Sequence, residues 1–329
     1  MAFSHKVVLV DYDEDLFSPR GWEREFMAAA GVEWQEGRWR SEDELLTHAG
    51  DADVIIIQSL RRLLNARTIP QLRRCKGIIR AGIGYDTIDV SAAAHAGVIV
   101  ANVPDYCLED VAEHALTLLL AALRQLGRQD RALRQGVWTR ELARPTRRLR
   151  GQTLGFLGFG RIARALAEKT RGLGPRLIAH DPFVPAEAAA PYNVRLVDLE
   201  QLLRTSDMIS VHTPLTPDTR RLLGAREFAR MKPTAVLVNT SRGPVIDETA
   251  LIRALQEGQI LAAGLDVFEE EPLPADSPLR RLDNVVLTPH TAAYSEDAVD
   301  DLYRGACQAA IDIIAGRRPL GAVNGDSLQ

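Results

Sequence analysis

Three short apolar runs in the second half of the chain lead into polar side chains. Arg242 comes out of "AVLVNTSRGPVID", the acids Asp266 and Glu271 out of "AAGLDVFEEEPL", and His290 out of "NVVLTPHTAAYSE". Each run reads as a buried strand, and open parallel sheets bind ligands beyond the carboxyl ends of their strands. An arginine fork can hold a carboxylate through two hydrogen bonds while its charge polarises a neighbouring carbonyl. A histidine exchanges protons near neutrality, and a carboxylate beside it orients the ring and favours the proton-donating form. The set suits hydride transfer to a 2-oxo acid, whose oxygen needs a proton as the hydride arrives. Each residue also has a structural alternative: His290 as a turn residue, Arg242 as a helix-capping or surface charge, Glu269–Glu271 as a solvated loop. The conjunction of the three favours the chemical reading.

A phosphate-cradling turn precedes them. "TLGFLGFGRIARALAEK" offers a strand, then Gly158, Gly160, Arg161, Ile162 and Ala163, then a helix. Gly158 permits the tight turn, Gly160 lets backbone approach a pyrophosphate, and the helix N-terminus presents free N–H groups. Ala163, in place of a third glycine, is small enough for close helix–strand packing. A second strand ends in "LIAHDPF", which puts Asp181 23 residues beyond Gly158. An acid there can accept hydrogen bonds from the adenosine ribose hydroxyls and repel a 2′-phosphate, so NAD is expected over NADP. Alternatively, Asp181 caps the turn before Pro182.

The elements that must position these groups alternate along the chain. Strands are expected at Val7–Val10, Val54–Ile57, Ile78–Arg80 and Val98–Ala101. Others follow at Leu154–Leu157, Leu177–Ala179, Met208–Val211, Ala235–Val238, Ala262–Leu265 and Val285–Leu287. Helical patterns occupy about 105–135, 161–172, 198–204, 225–231, 247–257 and 295–315. Continuous apolar strands separated by helices argue for parallel sheets covered on both faces. His114 falls on an apolar helix and reads as a core residue; His5, His48 and His95 carry no signal.

The bulk properties set the class. The 329 residues suffice for two domains, and 46 % hydrophobic with 26 % charged residues is ordinary globular composition. A net charge of −4 gives no reason to expect nucleic acid or an acidic membrane as partner. The 3 cysteines, isolated at 75, 107 and 307, suggest neither a disulfide framework nor a zinc site, so no metal is expected. The start "MAFSHKVVLVDYDED" turns acidic too soon for a signal peptide, and "ALTLLLAAL" is too short to cross a bilayer. A cytoplasmic protein is the expectation. The arginine-rich "RELARPTRRLRG" reads as a solvated surface connection.

In motif and order the sequence resembles the D-isomer-specific 2-hydroxyacid dehydrogenase family over nearly its whole length. "RAGIGYDTIDVSAAAHAGVIVANVPDYCLEDVAEHAL", "GFLGFGRIA", "HTPLTPDTRRLL", "MKPTAVLVNTSRGPVID", "AAGLDVFEEEPL" and "NVVLTPH" carry the likeness. It implies an α/β protein: a Rossmann NAD-binding domain over 102–290, and a second, smaller flavodoxin-like α/β substrate domain over 1–101 plus 291–329. It also implies catalytic Arg242, Glu271 and His290. Cofactor contacts would come from Gly158, Gly160, Arg161, Ile162, Asp181, His212, Thr213, Pro214, Thr219, Thr240 and Asp266, the last against the nicotinamide amide. Ile83 and Gly84 would offer N–H groups to the substrate carboxylate. Homodimers that close over a substrate are usual in the family.

Within the family, "TPHTAAYSE" is similar to the C-terminal binding protein branch, with Ala293 where that branch carries tryptophan. A smaller residue there leaves room for a bulkier or more polar substrate tail. The reading is therefore NAD-dependent reduction of a small 2-oxo acid, such as hydroxypyruvate or glyoxylate, to the D-2-hydroxy acid. The alternatives are a phosphoglycerate-type dehydrogenase, with Arg61 and Arg62 toward a phosphate, and an NAD(H)-sensing corepressor-like protein with little turnover. A formate dehydrogenase is disfavoured, because that branch pairs its histidine with glutamine.

Overall fold

A computed structural model describes residues 3–324, which divide into two compact units. One takes the chain up to Cys107 and resumes at Tyr294; the other is Leu108–Ala293. The crossings fall a few residues past the expected 101/102 and 290/291. Asn102 belongs to the first unit because it ends that unit's last strand, and Thr291 and Ala292 to the second because their N–H groups bond Asp266.

The first unit is a five-stranded parallel sheet with helices between the strands. In chain order it runs β1 (His5–Val10), α1 (Trp22–Ala29), β2 (Val32–Gly37), α2 (Glu42–Ala49), β3 (Val54–Ile57), β4 (Gly77–Arg80), α3 (Val90–His95) and β5 (Ile99–Asn102). The strand order β2-β1-β3-β4-β5 is the flavodoxin-like one. Central strands such as "VIII" in β3 are buried at every position, as sheets covered on both faces require. Helix α2 starts on a capping box: Ser41 Oγ accepts from Glu44 N, and Glu44 Oε2 accepts from Ser41 N at 3.0 Å.

In the second unit, α4 (Leu108–Leu123) and α5 (Leu126–Arg134) lead into β6 (Thr153–Leu157), α6 (Arg161–Thr170), β7 (Arg176–His180), α7 (Ala186–Ala189) and β8 (Val194–Leu196). Then come α8 (Leu199–Thr205), β9 (Met208–Val211), α9 (Ala225–Phe228), β10 (Val236–Asn239), α10 (Glu248–Gln256), β11 (Ala262–Leu265) and β12 (Val285–Leu287). The closing helix α11 (Glu296–Ile314) returns to the first unit and packs on β3, β4 and β5. The seven strands are all parallel, in the order β12-β11-β10-β9-β6-β7-β8, a Rossmann arrangement whose order reverses between β6 and β9. Leu203, Phe228 and Leu251 from α8–α10 bury one face; Leu119, Ala163 and Leu166 from α4 and α6 bury the other. Asp198 and Asp247 cap α8 and α10 through Gln201 N and Ala250 N.

Some expectations need correction. The helix expected over 105–135 is two helices, broken at Gln125, whose φ of 51° is left-handed. Strands β2 and β8 were not anticipated. Both are sheet edges, where "VEWQEG" alternates buried and exposed positions instead of forming a continuous apolar run. The short helices α1, α2, α3 and α7 likewise escaped the apolar-periodicity reading.

Candidate active site

The residues singled out in the second unit leave three neighbouring strands at one level. Asn239 of β10 pairs with Leu265 of β11, and Leu265 with Leu287 of β12. Arg242, Asp266 and His290 therefore leave the carboxyl edge of the sheet side by side, with Glu271 on the loop after Asp266.

Arg242 is set by Asn239, a buried side chain that the sequence reading passed over. Asn239 Nδ2 donates to the Arg242 carbonyl at 2.9 Å, and its Oδ1 accepts from Ser241 N and Ser241 Oγ, each at 3.0 Å. The next residue, Gly243, lies directly against the backbone of Phe268. A Cβ built on Gly243 would stand 1.9 Å from the Phe268 carbonyl carbon and oxygen, so only glycine lets the Arg242 and Glu271 loops meet.

The acidic run separates by contact. Glu269 Oε1 accepts from Arg221 Nη2 at 2.9 Å, and the Glu269 N–H donates to Glu248. Glu271 is the one paired with the histidine: His290 Nδ1 lies 2.6 Å from Glu271 Oε2, while Glu271 Oε1 accepts from Phe268 N at 3.0 Å. Burial works to raise the Glu271 carboxyl. The hydrogen bond and charge of His290, the Phe268 N–H and the Arg242 charge outweigh it and hold the group below the usual carboxylate range. With an ionised acceptor on Nδ1, that nitrogen carries a proton and Nε2 is the ring nitrogen left for exchange with a ligand. His290 itself has φ 55°, a left-handed conformation uncommon for residues with a side chain.

Asp266 is fully buried. Oδ1 accepts from Thr288 Oγ1 at 2.6 Å and Thr291 N at 2.9 Å, and Oδ2 accepts from Ala292 N at 2.9 Å. His114, expected in the core, is half-buried on α4 with Nε2 2.9 Å from Thr288 Oγ1. No sequence signal links two residues 174 positions apart.

The glycine turn has the shape a dinucleotide requires. Gly158 takes φ 87°, and a Cβ there would sit 3.0 Å from the backbone of His212, which leaves the far side of the β6–β9 switch point. At Gly160 an added Cβ would meet nothing within 4 Å, leaving open space before the α6 N-terminus at Arg161 and Ile162. Asp181 is held in place, Oδ2 accepting from Phe159 N at 2.8 Å and Oδ1 from Phe183 N at 2.9 Å. The buried hydroxyls of Thr213 and Thr240 have no hydrogen-bond partner among the described residues, as expected of groups that a polar ligand satisfies. These residues fit NAD.

Two further expected contacts, Thr219 and His212, have internal partners. Thr219 Oγ1 donates to the Pro214 carbonyl at 2.6 Å and closes the turn after His212. His212 Nε2 lies 2.8 Å from Ser210 Oγ, and burial pulls its imidazole down to about 4, so the ring is neutral. Ile83 and Gly84 lie in the first unit, on the loop after β4, where Asn102 Nδ2 donates to the Ile83 carbonyl at 2.7 Å.

Residues 116–292 match the family described as D-isomer specific 2-hydroxyacid dehydrogenase, NAD binding domain. The chain is 43 % identical over 259 residues to the D-3-phosphoglycerate dehydrogenase of Methanocaldococcus jannaschii, covering 78 % of this chain and 49 % of that one. It is 37 % identical over 295 residues to the glyoxylate reductase of Korarchaeum cryptofilum, covering 88 % of each. The solved glyoxylate reductase from Paecilomyes thermophila aligns with a TM-score of 0.87 at 28 % identity, over 98 % of this chain and 100 % of that one. The chain thus spans about half the length of the phosphoglycerate dehydrogenases it matches.

Proposed function

This chain belongs to the D-isomer specific 2-hydroxyacid dehydrogenase family, and from that premise we propose that it reduces a small 2-oxo acid to the D-2-hydroxy acid with NADH, and catalyses the reverse. The observation that carries the reading is the 2.6 Å pair of His290 and Glu271 on the strand edge that also presents Arg242. NADH, when bound, would supply the hydride for C2 of the substrate. Arg242 holds the substrate carboxylate and polarises the adjacent carbonyl. His290 donates the proton from Nε2 to the oxygen that becomes negative, and Glu271 fixes the ring for that transfer. Gly158, Gly160, Arg161 and Ile162 would hold the pyrophosphate, Asp181 the ribose, and Thr213, Pro214 and Thr240 the nicotinamide half, with Asp266 toward its amide.

Hydroxypyruvate or glyoxylate is the favoured substrate. The glyoxylate reductase relative matches this chain over nearly equal shares of both proteins. Arg61, one of two candidates to meet a phosphate, is instead committed to the buried Asp11, its Nη1 3.0 Å from Oδ2, with Arg40 Nε 3.2 Å from Oδ1. A phosphoglycerate-type substrate is the second reading, favoured by the identity to that enzyme and by Arg62, which forms no ion pair among the described residues. Ala293, three residues beyond His290, gives the substrate tail room. Exposed Leu126, Leu133 and Trp138, at or just after α5, support a homodimer, which light scattering would test. Among the described residues no helix is long and apolar enough to cross a membrane.

The test is steady-state turnover on glyoxylate, hydroxypyruvate and 3-phosphohydroxypyruvate with NADH and NADPH. The unphosphorylated acids with NADH should give the highest kcat/KM. Preference for the phosphorylated acid would select the second reading, and tight NADH binding without turnover on any acid would make the chain a nucleotide sensor.

A further inference from the structure

The loop that presents His290 is held by one buried carboxylate. Asp266 takes the Thr288 hydroxyl and the N–H groups of Thr291 and Ala292 on its side chain, and its own carbonyl accepts from His290 N at 2.8 Å. One residue thus brackets 288–292 from both sides, with His290 in a left-handed conformation at the centre. Such a conformation persists only where its surroundings over-determine it.

The bracket has an outer member. Thr288 has one hydroxyl proton and gives it to Asp266, so its oxygen is free to accept. The group facing that oxygen is His114 Nε2, at 2.9 Å, and the same nitrogen is 3.5 Å from Asp266 Oδ1. With Thr288 as acceptor, Nε2 of His114 carries a hydrogen. Helix α4, which bears His114, packs against β10, β11 and β12, the three strands that deliver Arg242, Asp266 and His290. A hydrogen-bond chain from a helix to a buried carboxylate polarises and strengthens each of its bonds.

We propose that His114 is a positioning residue, which holds the 288–292 loop in its proton-donating shape through the Thr288 hydroxyl and the Asp266 carboxylate. The proposal rests on the reading of His290 as proton donor. His114 lends Thr288 a donor that keeps its hydroxyl turned toward Asp266. Without it the hydroxyl can rotate, one of the donors to Asp266 is lost, and the loop gains freedom. Misplacement of a reacting group by about 1 Å can cost about 10²-fold in rate.

The test uses the full chain with His114→Leu, His114→Gln and Thr288→Val. Glutamine can place an N–H near the position of Nε2; leucine cannot. The first readout is amide hydrogen exchange at His290, Thr291 and Ala292, which needs no turnover. The second is kcat together with NADH affinity. His114→Leu and Thr288→Val should speed exchange at the three amides by about tenfold. They should also lower kcat by about 10- to 100-fold with NADH affinity unchanged, and His114→Gln should recover most of both. Exchange unchanged in both His114→Leu and Thr288→Val overturns the proposal, as does faster exchange with kcat intact, or a glutamine variant no better than leucine. A wild-type chain that turns over no 2-oxo acid sinks the proton-donor reading instead, and the exchange readout still decides whether His114 holds the loop.

Discussion

His290 Nδ1 and Glu271 Oε2 stand 2.6 Å apart, and the other oxygen of that carboxylate is pinned by the Phe268 N–H. A carboxylate held at both oxygens cannot swing away from the imidazole, so the ring keeps one orientation and one tautomer. Glu271→Gln removes the charge while retaining the shape. It should lower kcat for reduction by about tenfold or more, because an uncharged partner favours the proton-donating imidazolium less. NADH affinity by fluorescence titration should be unchanged. The Glu271 carboxyl lies below its usual 4.5, so the pair is intact above that value and is lost only as pH falls through the lowered one.

Gly243 tests the packing of the Arg242 loop against the Glu271 loop. Its missing Cβ is filled by the Phe268 backbone, which cannot rotate out of the way as a side chain could. Gly243→Ala should cost about 1–3 kcal/mol of stability and should reduce kcat/KM more than a comparable loss of stability elsewhere, since it parts Arg242 from Glu271. Thermal melting and steady-state kinetics on the same preparation would show this. A variant with normal kinetics would mean that the loops do not depend on that contact.

His212 makes stability fall on mild acidification. Its folded value, lowered by burial to about 4, lies below the usual 6.5. Above 6.5 the ring is neutral folded and unfolded, and its contribution is full. As pH falls from 6.5 toward 4 only the unfolded chain binds the proton, so the contribution is lost. Urea unfolding at about pH 7.5 and about pH 5 should differ by about 2 kcal/mol more in the wild type than in His212→Gln. Equal differences would show that His212 is not buried as a neutral ring.

Much of this was legible in the chain itself. Strands such as Val54–Ile57 and Met208–Val211 are short, β-branched and buried on both faces, so hydrophobic runs alone locate them. Edge strands β2 and β8 were missed because an edge position tolerates alternation with polar residues. At the site, glycine spacing and the strand-end placement of Arg242 and His290 point to chemistry without any knowledge of contacts. Which of three consecutive acids meets His290 follows from no local pattern; it was assigned by family likeness, and the geometry places Glu271 against the imidazole and Glu269 against Arg221. The contributions of Gly243 and His114 depend on segments far apart in sequence, and only the folded chain shows them. Asn239 acts on its near neighbours Ser241 and Arg242 but belongs to no pattern that marks it as a positioning residue. Asp266, expected beside the cofactor, also proved to be the buried anchor of the 288–292 loop.

The measurement that bears most directly on the central claim is kcat and NADH affinity for His290→Ala. Turnover should fall by about 10²–10⁴-fold, as for a positioned acid–base group, with NADH binding nearly unchanged. Turnover close to that of the wild type would contradict it and make the His290–Glu271 pair a structural contact.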